Sequence, residues 1–207
     1  MTLTSTLGLA CSVVGVRTSK EPGFRVKLAE GDKEIREYDS YLVARTEVRG
    51  DYETSGSQGF RRLFKYISGD NTGDQEISMT APVLQEKEGI DIAMTAPVIQ
   101  ESNGETWKMD FVMPAHFTRE TVPAPRDQLV VIEEVPAQTV AVIRYSGTVS
   151  TEDIAGKTRE LEDCIAAKPY DIISRARSAR YDPPFALPFL RRNEIHLTVE
   201  PRGSDLP

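Results

Sequence analysis

Few residues of this sequence can bind a metal through sulfur or imidazole. The 207 residues include two cysteines, Cys11 and Cys164, and two histidines, His116 and His196. Two cysteines outside a C-x-x-C pair cannot form a disulfide framework or a four-thiolate zinc site. With two histidines, the sequence offers few candidate residues for a histidine-rich metal site or for a Ser/His/Asp or Cys/His catalytic arrangement.

The short motifs of common enzyme classes are also missing. The sequence has no G-x-G-x-x-G, G-x-x-x-x-G-K-[ST], H-E-x-x-H or G-x-S-x-G segment. No group of residues specifies a positioned acid, base or nucleophile. The sequence therefore predicts a protein that is not an enzyme.

Positive charge is in the minority, and long apolar runs are absent. Lys and Arg number 25 against 32 Asp and Glu, which gives a formal net charge of −7. A nucleic-acid-binding surface needs clustered Lys and Arg that release counterions from phosphates, so we expect no nucleic-acid partner. No stretch reaches the roughly 18 apolar residues that a membrane-spanning helix needs.

The N-terminal segment resembles part of a signal sequence. Residues 1–16 are mostly small, apolar and uncharged, but they lack the positive n-region of a secretory signal. Leu9-Ala10-Cys11 resembles the end of a bacterial lipoprotein signal, in which the Cys is lipidated. On that interpretation a lipid on Cys11 holds the protein at a bacterial membrane, on the periplasmic side. The alternative is a cytoplasmic protein with a disordered tail and a chance cysteine.

Alternating side chains predict strands in the next part of the chain. Residues 24–28 and 34–38 alternate with period two, and residues 41–48 read as a longer strand. Because the three strands follow one another closely, we expect a β-meander.

A helix with one apolar face follows these strands. Four apolar residues have the i, i+3, i+4, i+7 spacing of a helix face: Phe60, Leu63, Phe64 and Ile67. Gly69 should end this helix, and the small polar residues 54–59 should lead into it. Lys65 lies on the opposite, charged side with Arg61 and Arg62, a side that is most often solvated.

A ten-residue segment occurs twice. Ile-Ser-Met-Thr-Ala-Pro-Val-Leu-Gln-Glu at residues 77–86 recurs at 92–101 as Ile-Ala-Met-Thr-Ala-Pro-Val-Ile-Gln-Glu. Each copy predicts a strand with one apolar face that ends, bulges or runs along a sheet edge at its proline. Four methionines fall on such faces, where they either fill the core or wall a pocket for a flat ligand: Met79, Met94, Met109 and Met113.

A longer-range repeat organises the whole domain. The strand and glycine at residues 41–50 recur at 138–147, an offset of about 97, and each copy precedes a helix. The second helix is predicted at Thr151–Ala166, with Ser150 or Thr151 as its N-cap. Two strand-helix-strand halves about a pseudo-twofold axis predict an α+β domain, a sheet or open barrel with both helices on its outside.

Prolines stiffen a loop before the last predicted strand. Pro183, Pro184 and Pro188 interrupt residues 181–190. This loop either folds onto the core or closes an apolar cleft with cations at its mouth. Its candidate cleft residues are Phe185, Leu187, Phe189, Leu190, Arg191 and Arg192.

Taken in order, these segments resemble the SOUL haem-binding protein family. The resemblance rests on residues 60–71, both Met-Thr-Ala-Pro-Val copies, residues 107–114, and residues 181–196 with their Arg-Arg-Asn-Glu sequence. It implies a single SOUL-like haem-binding domain at 24–200, with an N-terminal tail or lipoprotein-signal remnant at 1–23 and a disordered C-terminal tail at 201–207. It also implies a distorted antiparallel β-barrel, built from duplicated halves, with two flanking helices.

The resemblance further implies that the protein binds haem (heme) or free porphyrin in an apolar cleft beside the first helix, as a tetrapyrrole carrier or buffer. The first helix would place four apolar residues below the ring and Lys65 at its edge. The four are Phe60, Leu63, Phe64 and Ile67, and the proline-rich loop would add Phe185, Leu187, Phe189 and Arg191.

Iron ligation is not specified by this resemblance. A His that ligates iron in one vertebrate branch of the family is replaced here by Glu37, just before Tyr38. The metal ligand is therefore unknown, with His116 and His196 as weak candidates, because a lone His is more often structural or solvated. We expect apolar contacts and cations near the propionates to dominate binding.

Two other functions stay open on the sequence. A binding module for other flat hydrophobic small molecules follows from the same fold, and an envelope lipoprotein with a structural role follows from Cys11. In each case we expect a monomer that reaches a membrane only through a lipid on Cys11.

Overall fold

The computed structural model describes residues 21–73, 96–103, 106–182 and 186–203. Within these ranges the chain forms two α-helices, α1 (Tyr52–Ile67) and α2 (Thr151–Ala166), and twelve strands. The strands are β1 (Phe24–Glu30), β2 (Lys33–Tyr38), β3 (Tyr41–Arg49), β4 (Asn71–Thr72), β5 (Val98–Asn103), β6 (Thr106–Val112), β7 (Ala124–Pro125), β8 (Val130–Val135), β9 (Gln138–Tyr145), β10 (Tyr170–Ile172), β11 (Arg177–Arg180) and β12 (Asn193–Pro201). A short 3₁₀ helix, Pro188–Leu190, precedes β12.

Ten of the described strands form one antiparallel sheet. Its order is β1-β2-β9-β12-β11-β5-β6-β3-β8, and β10 pairs with the C-terminal end of β12. The sheet curls into a half-barrel, while β4 and β7 pair with each other. The predicted α+β class, with a distorted antiparallel barrel and two flanking helices, is confirmed.

The first three strands do not form the predicted β-meander. β1 and β2 make a hairpin around Gly31, whose φ of 61° lies in the left-handed region. β2 then pairs with β9, whereas β3 pairs with β6 and β8. The prediction was wrong because side-chain alternation indicates a strand without specifying its partner.

The two halves of the domain exchange strands. β9 begins at Gln138, 97 residues after β3 begins at Tyr41, and β8 begins at Val130, 97 residues after β2 begins at Lys33. β2 pairs with β9 of the second half, and β8 pairs with β3 of the first half. β11 and β5 pair at the middle of the sheet, where the pseudo-twofold axis passes. The predicted sequence repeat is therefore a structural duplication.

Both helices cover the same face of the sheet. Directly paired residues of antiparallel strands share a face. One row of paired residues crosses the sheet through Ile143, Ile195, Ser178, Gln100 and Met109. The isoleucines pack with Leu161 and Ile165 of α2, and the methionine packs with Leu63 of α1. The row is therefore apolar under each helix and polar between them.

Helix α1 begins eight residues before Phe60, the first residue of the predicted apolar face. Asp51 is its N-cap, and the carboxylate accepts a hydrogen bond from Thr54 N at 2.8 Å. Gly59, predicted to lie in a polar lead-in, is inside the helix, where an added Cβ would come within 3.2 Å of Met109 Sδ. The glycine thus permits close helix-sheet contact, which outweighs its low helix propensity.

Helix α2 has the predicted bounds. Ser150 is its N-cap: Ser150 Oγ accepts a hydrogen bond from Asp153 N at 3.1 Å, and the Asp153 carboxylate accepts one from Ser150 N at 3.1 Å. This reciprocal capping box satisfies two backbone donors at the start of the helix. Leu161 and Ile165 are buried against the sheet.

Candidate ligand-binding site

The predicted apolar face of α1 is divided between the core and the surface. Leu63 is 0% exposed and Ile67 is 5% exposed, and both belong to the core under the helix. Phe60 is half-buried at the edge of that core, and Phe64 is 46% exposed. Lys65 is exposed beside it. The solvent-facing part of the predicted face is therefore Phe64 with the half-buried Phe60, and Leu63 and Ile67 belong to the core below them.

The aromatic rings of Phe60 and Phe64 form a small platform on α1. Their centroids are 5.9 Å apart, and the ring planes are inclined by 12°. Phe60 also meets Phe111 of β6 edge to face, with centroids 5.3 Å apart. Because Phe111 is buried, it fixes the inner ring of the pair while the outer ring faces solvent.

The described part of the proline-rich loop lies beside the end of β9. Gly147 N donates a hydrogen bond to Pro188 O at 2.9 Å, and Asn193 Nδ2 donates one to Gly147 O at 3.2 Å. These bonds attach the 3₁₀ helix to the connection between β9 and α2.

Two apolar side chains of this loop face solvent. Leu187 is 42% exposed and Phe189 is 70% exposed. Arg191 is half-buried, and its Nε donates to Ala186 O at 2.9 Å. Several predicted residues lie outside the described ranges, namely Phe185, Met79, Met94 and Cys11.

A polar patch lies on the sheet between the two helices. It consists of Ser178 and Arg180 of β11, Gln100 of β5, Tyr145 at the end of β9 and Tyr52 at the start of α1, and we call it the midline patch. The sequence analysis did not identify these residues. Their one signal is that Ser178 and Arg180 of β11 are polar although they lie on the helix-covered face of the sheet.

Arg180 and Tyr52 are the most closely associated members of the patch. Arg180 Nη2 donates a hydrogen bond to Tyr52 OH, and the guanidinium carbon lies 5.1 Å from the centroid of the same ring. The Tyr52 ring meets Trp107 edge to face at 5.2 Å. Gln100 Nε2 donates to Tyr52 O at 3.4 Å. The patch is thereby tied to the first turn of α1.

Three polar atoms of the patch are buried without a hydrogen-bond partner in the described part of the chain: Ser178 Oγ, Arg180 Nε and Tyr145 OH. Ser178 as a whole is 4% exposed. Burial raises the pKa of Tyr145 to about 12; the neighbouring Tyr52 adds to this rise and the Arg180 charge opposes it. The Tyr145 hydroxyl therefore stays protonated at neutral pH.

The two histidines have different surroundings. His196 is 4% exposed, and its Nε2 lies 2.8 Å from Glu194 Oε2. It follows Ile195 in β12, so its side chain lies on the sheet face away from α1 and α2. His116 is exposed, with its ring centroid 4.2 Å from that of Phe117. His196 therefore lies on the opposite face of the sheet from the Phe60 and Phe64 platform.

Glu37, which stands where one family branch has its iron-ligating His, makes a surface ion pair. Lys27 Nζ lies 2.7 Å from Glu37 Oε1, and Arg25 Nη2 lies 4.0 Å from Glu37 Oε2. Hydrogen bonding and the Glu37 charge raise the pKa of Lys27. Both partners come from β1, at the far edge of the sheet from α1.

A buried ionic network occupies the other face of the sheet. The Glu194 carboxylate accepts bonds from Arg36 Nη1 at 2.9 Å, from Arg36 Nη2 at 3.1 Å, from Tyr181 OH at 2.7 Å and from Arg192 Nε at 2.9 Å. Burial alone would raise the pKa of Glu194, but the hydrogen bonds and charges of His196 and Arg36 hold it well below its ordinary range. The network ties the exchanged strand β2 to β12.

A cavity of about 570 Å³ opens between the N-terminal end of the described chain and the loop after β6. Its apolar lining includes Tyr41, Met113 and Phe117. Its charged lining consists of Glu21, Asp39, Glu120, Glu134 and Arg119. None of the predicted ring-contacting residues of α1 or of the proline-rich loop lines this cavity.

Metal and membrane features are limited in the described ranges. No three His, Cys, Asp or Glu side chains in these ranges are grouped as a metal site would require. Neither α1 nor α2 has the length and apolar content to cross a bilayer. Cys164, in α2, is half-buried and makes no disulfide.

Several solved structures share this fold. The C-terminal domain of EcmrR is similar at 12% identity with a TM-score of 0.59, over 82% of this chain and 97% of that one. A protein from Listeria innocua described as a hydrolase is similar at 10% identity with a TM-score of 0.54, over 84% of this chain and 94% of that one. An uncharacterized conserved protein from Listeria innocua is similar at 11% identity with a TM-score of 0.54, over 82% and 92%. At such identities the likeness concerns the fold alone.

Sequence comparison identifies the family. None of the curated proteins matches this chain. The family model described as SOUL heme-binding protein matches residues 19–198, which include both strand-exchanged halves and both helices. The matched range also contains the segments that carried the resemblance, from the first helix to the Arg-Arg-Asn-Glu sequence at the start of β12. The chain therefore belongs to the SOUL haem-binding protein family.

Proposed function

We propose that this chain binds haem or free porphyrin in an apolar cleft beside α1 and serves as a tetrapyrrole carrier or buffer. Membership of a haem-binding family supports a tetrapyrrole ligand. The observation that carries the proposal is the Phe60 and Phe64 platform, with its near-parallel rings and its outer ring 46% exposed. An exposed aromatic pair of this kind offers a flat apolar surface to a flat ligand.

The residues around the platform suit both the apolar macrocycle of a tetrapyrrole and its anionic propionates. Phe60 and Phe64 would hold the macrocycle, and the exposed Leu187 and Phe189 of the loop offer further apolar surface. Lys65, exposed beside the platform, would pair with a propionate. Reversible binding of this kind needs no acid, base or nucleophile, so the proposed role is non-enzymatic.

The test is a titration of the purified chain with haem and, separately, with iron-free protoporphyrin, followed by absorbance in the Soret region. We expect a shifted Soret band that saturates with both ligands. Spectra that stay identical to those of the free ligands would contradict the proposal.

The cavity of about 570 Å³ favours a second candidate, a binding module for another class of hydrophobic small molecule. Four carboxylates and one arginine line it, so it suits an apolar cation better than a dicarboxylate. Ethidium, a flat aromatic cation, is a suitable probe. Uptake of ethidium by a chain that does not shift the Soret band would favour this candidate over the tetrapyrrole carrier.

A further inference from the structure

We propose that the midline patch is a carboxylate-binding subsite, in which Arg180, Ser178 and Tyr145 hold an acidic side arm of the bound ligand. The inference rests on the proposed function for the identity of that ligand. Neither the family match nor the sequence motifs single out these three residues.

The first argument is the unsatisfied hydrogen-bonding capacity of the patch. Ser178 Oγ, Arg180 Nε and Tyr145 OH are all buried without a partner in the described part of the chain. Buried polar atoms are nearly always paired, because leaving a donor unpaired costs free energy. Three such atoms on one patch indicate an acceptor that a bound molecule supplies.

The three residues lie on one face of the sheet. Ser178 and Arg180 are two residues apart in β11, so their side chains share the helix-covered face. Arg180 pairs with Asn193 of β12, which in turn pairs with Tyr145 of β9, so Tyr145 lies on the same face two strand spacings away, about 10 Å.

The second argument is the charge of Arg180. The buried or half-buried arginines Arg36, Arg45 and Arg192 each have a carboxylate within 3.0 Å. Arg177, on the opposite face of β11, instead donates to Gln138 and Thr198, and its Nε is also buried without a partner in the described part of the chain. Arg180 has no carboxylate partner in the described part of the chain; its side chain contacts the ring and hydroxyl of Tyr52. Asp153, at the start of α2, is held in the capping box with Ser150. A half-buried guanidinium with a free Nε favours an anionic ligand group, because charge-assisted hydrogen bonds are the stronger kind.

The third argument is the distance to the aromatic platform. Arg180 pairs with Val98, and Val98 pairs with Phe111, against which Phe60 packs. Two strand spacings therefore separate the guanidinium strand from the platform strand, about 10 Å in all. The guanidinium itself contacts Tyr52, eight residues or about 12 Å before Phe60 along α1, so a macrocycle on the platform must extend toward the start of α1 for a propionate to reach it. Since the three donor atoms are closed to solvent, the half-buried side chains of Arg180 or Tyr145 must rotate to admit it.

The experiment compares two ligands and three proteins. Protoporphyrin IX, which has two propionates, and its dimethyl ester are titrated into the wild type, Arg180→Gln and the control Arg175→Gln. Arg175 is an exposed arginine just before β11, so its replacement removes the same charge from the surface. We expect Arg180→Gln to weaken binding of the acid by about tenfold and to leave the ester within about twofold. The control should match the wild type with both ligands.

Equal effects on acid and ester, or no effect on either, would overturn the subsite while leaving the proposed function in place. Should Arg180→Gln misfold, as judged by circular dichroism, Ser178→Ala and Tyr145→Phe replace it, because each removes only a hydroxyl group. The same loss of preference for the acid is expected from their combination.

A second ligand pair separates failure of the subsite from failure of the proposed function. Pyrenebutyrate and pyrenebutanol have the same flat ring and differ in the carboxylate. One possible result is that the wild type binds no porphyrin but prefers pyrenebutyrate to pyrenebutanol, and that Arg180→Gln loses this preference. That result would support the subsite and contradict the tetrapyrrole proposal. Absence of any preference with both ligand pairs would overturn the subsite.

Discussion

At the scale of single residues, the structure assigns different roles to neighbours in one helix turn. Leu63 belongs to the core, whereas Phe64, one position later, is 46% exposed. A polar substitution at Phe64 therefore tests ligand contact with little effect on folding, whereas the same change at Leu63 would disrupt the core. This difference makes Phe64 the appropriate residue for mutagenesis.

Phe64→Asp should weaken tetrapyrrole binding by more than about tenfold. The substitution removes one ring of the platform and places a carboxylate on the surface that would hold the apolar macrocycle, so apolar contact is lost and a charge is desolvated. The measurement is a fluorescence or absorbance titration with haem. Gln58→Asp, which adds the same charge at an exposed position of α1, is the matched control. Undiminished affinity in a folded Phe64→Asp protein would mean that the ligand lies elsewhere.

Haem and iron-free protoporphyrin should bind with similar affinity. Glu37 replaces the family histidine and is engaged by Lys27, and His196 is buried beside Glu194. Coordination to iron should therefore add little to apolar contact and propionate pairing. Parallel titrations with the two ligands give the ratio of their dissociation constants. A strong preference for haem that disappears in His116→Ala or His196→Ala would instead identify that residue as an axial ligand.

At the scale of elements, the exchanged strand β2 depends on a buried ion pair. Arg36 of β2 has a side chain 3% exposed, and Glu194 of β12 has one that is 0% exposed. β9 lies between the two strands, so the pair bridges three neighbours in the sheet. Removal of one partner would leave the other as an uncompensated buried charge.

Glu194→Gln should lower the free energy of unfolding by about 3–5 kcal/mol, because Arg36 and Arg192 would lose their shared counter-charge. Glu34→Gln is the matched control: Glu34 also contacts Arg36, at 2.6 Å, but its side chain is 29% exposed. Loss of this more exposed contact should lower the free energy of unfolding by about 1 kcal/mol or less. Urea denaturation of the two variants gives both values. Equal losses of unfolding free energy in the two variants would show that burial of an ion pair in this network does not determine its contribution to stability.

Acidification should destabilise the fold in two stages. Burial lowers the pKa of His196 below its ordinary value of 6.5, and the bonds from His196 and Arg36 hold the pKa of Glu194 below its ordinary value of 4.5. Both groups bind protons more readily in the unfolded chain, so stability is present above these ordinary values and falls as the pH drops below each of them. The melting temperature, measured at several pH values between about pH 7.5 and pH 4, tests this two-stage loss of stability.

His196→Gln should remove the loss of stability that begins near the ordinary pKa of histidine. It should keep the loss that begins near the ordinary pKa of glutamate. A wild-type melting temperature that stays constant between these two values would contradict the assignment of the first stage to His196.

At the scale of the whole molecule, we predict attachment to a membrane through a lipid on Cys11, which lies outside the described residues. If the natural product carries a basic and apolar leader before Thr2, we expect cleavage before Cys11 and lipidation of its thiol. Acyl chains contribute about 0.8 kcal/mol per buried methylene, so more than one chain gives stable anchoring. Mass spectrometry of the N-terminus from native cells measures the modification. An unmodified Cys11 within an intact N-terminal segment would contradict it.

The features that could be predicted from the sequence are those encoded by nearby residues. The bounds of α2 follow from its apolar spacing and its Ser150 cap. Strands β1, β2 and β3 follow from alternation, and the duplication of the two halves follows from the repeat of residues 41–50 at 138–147. The early start of α1 was missed because Gly59 is a poor helix former, tolerated only where Met109 packs closely against the helix.

Tertiary structure decided the features that join distant parts of the chain. The pairing of β2 with β9, the burial of Leu63 beside an exposed Phe64, and the meeting of Arg180 with Tyr52 each depend on contacts far apart in sequence. Periodicity reports which side of a strand or helix is apolar, because that property repeats over a few residues. It does not report which element covers that side or which polar residues meet beneath it, because those depend on how the two halves close around their shared axis.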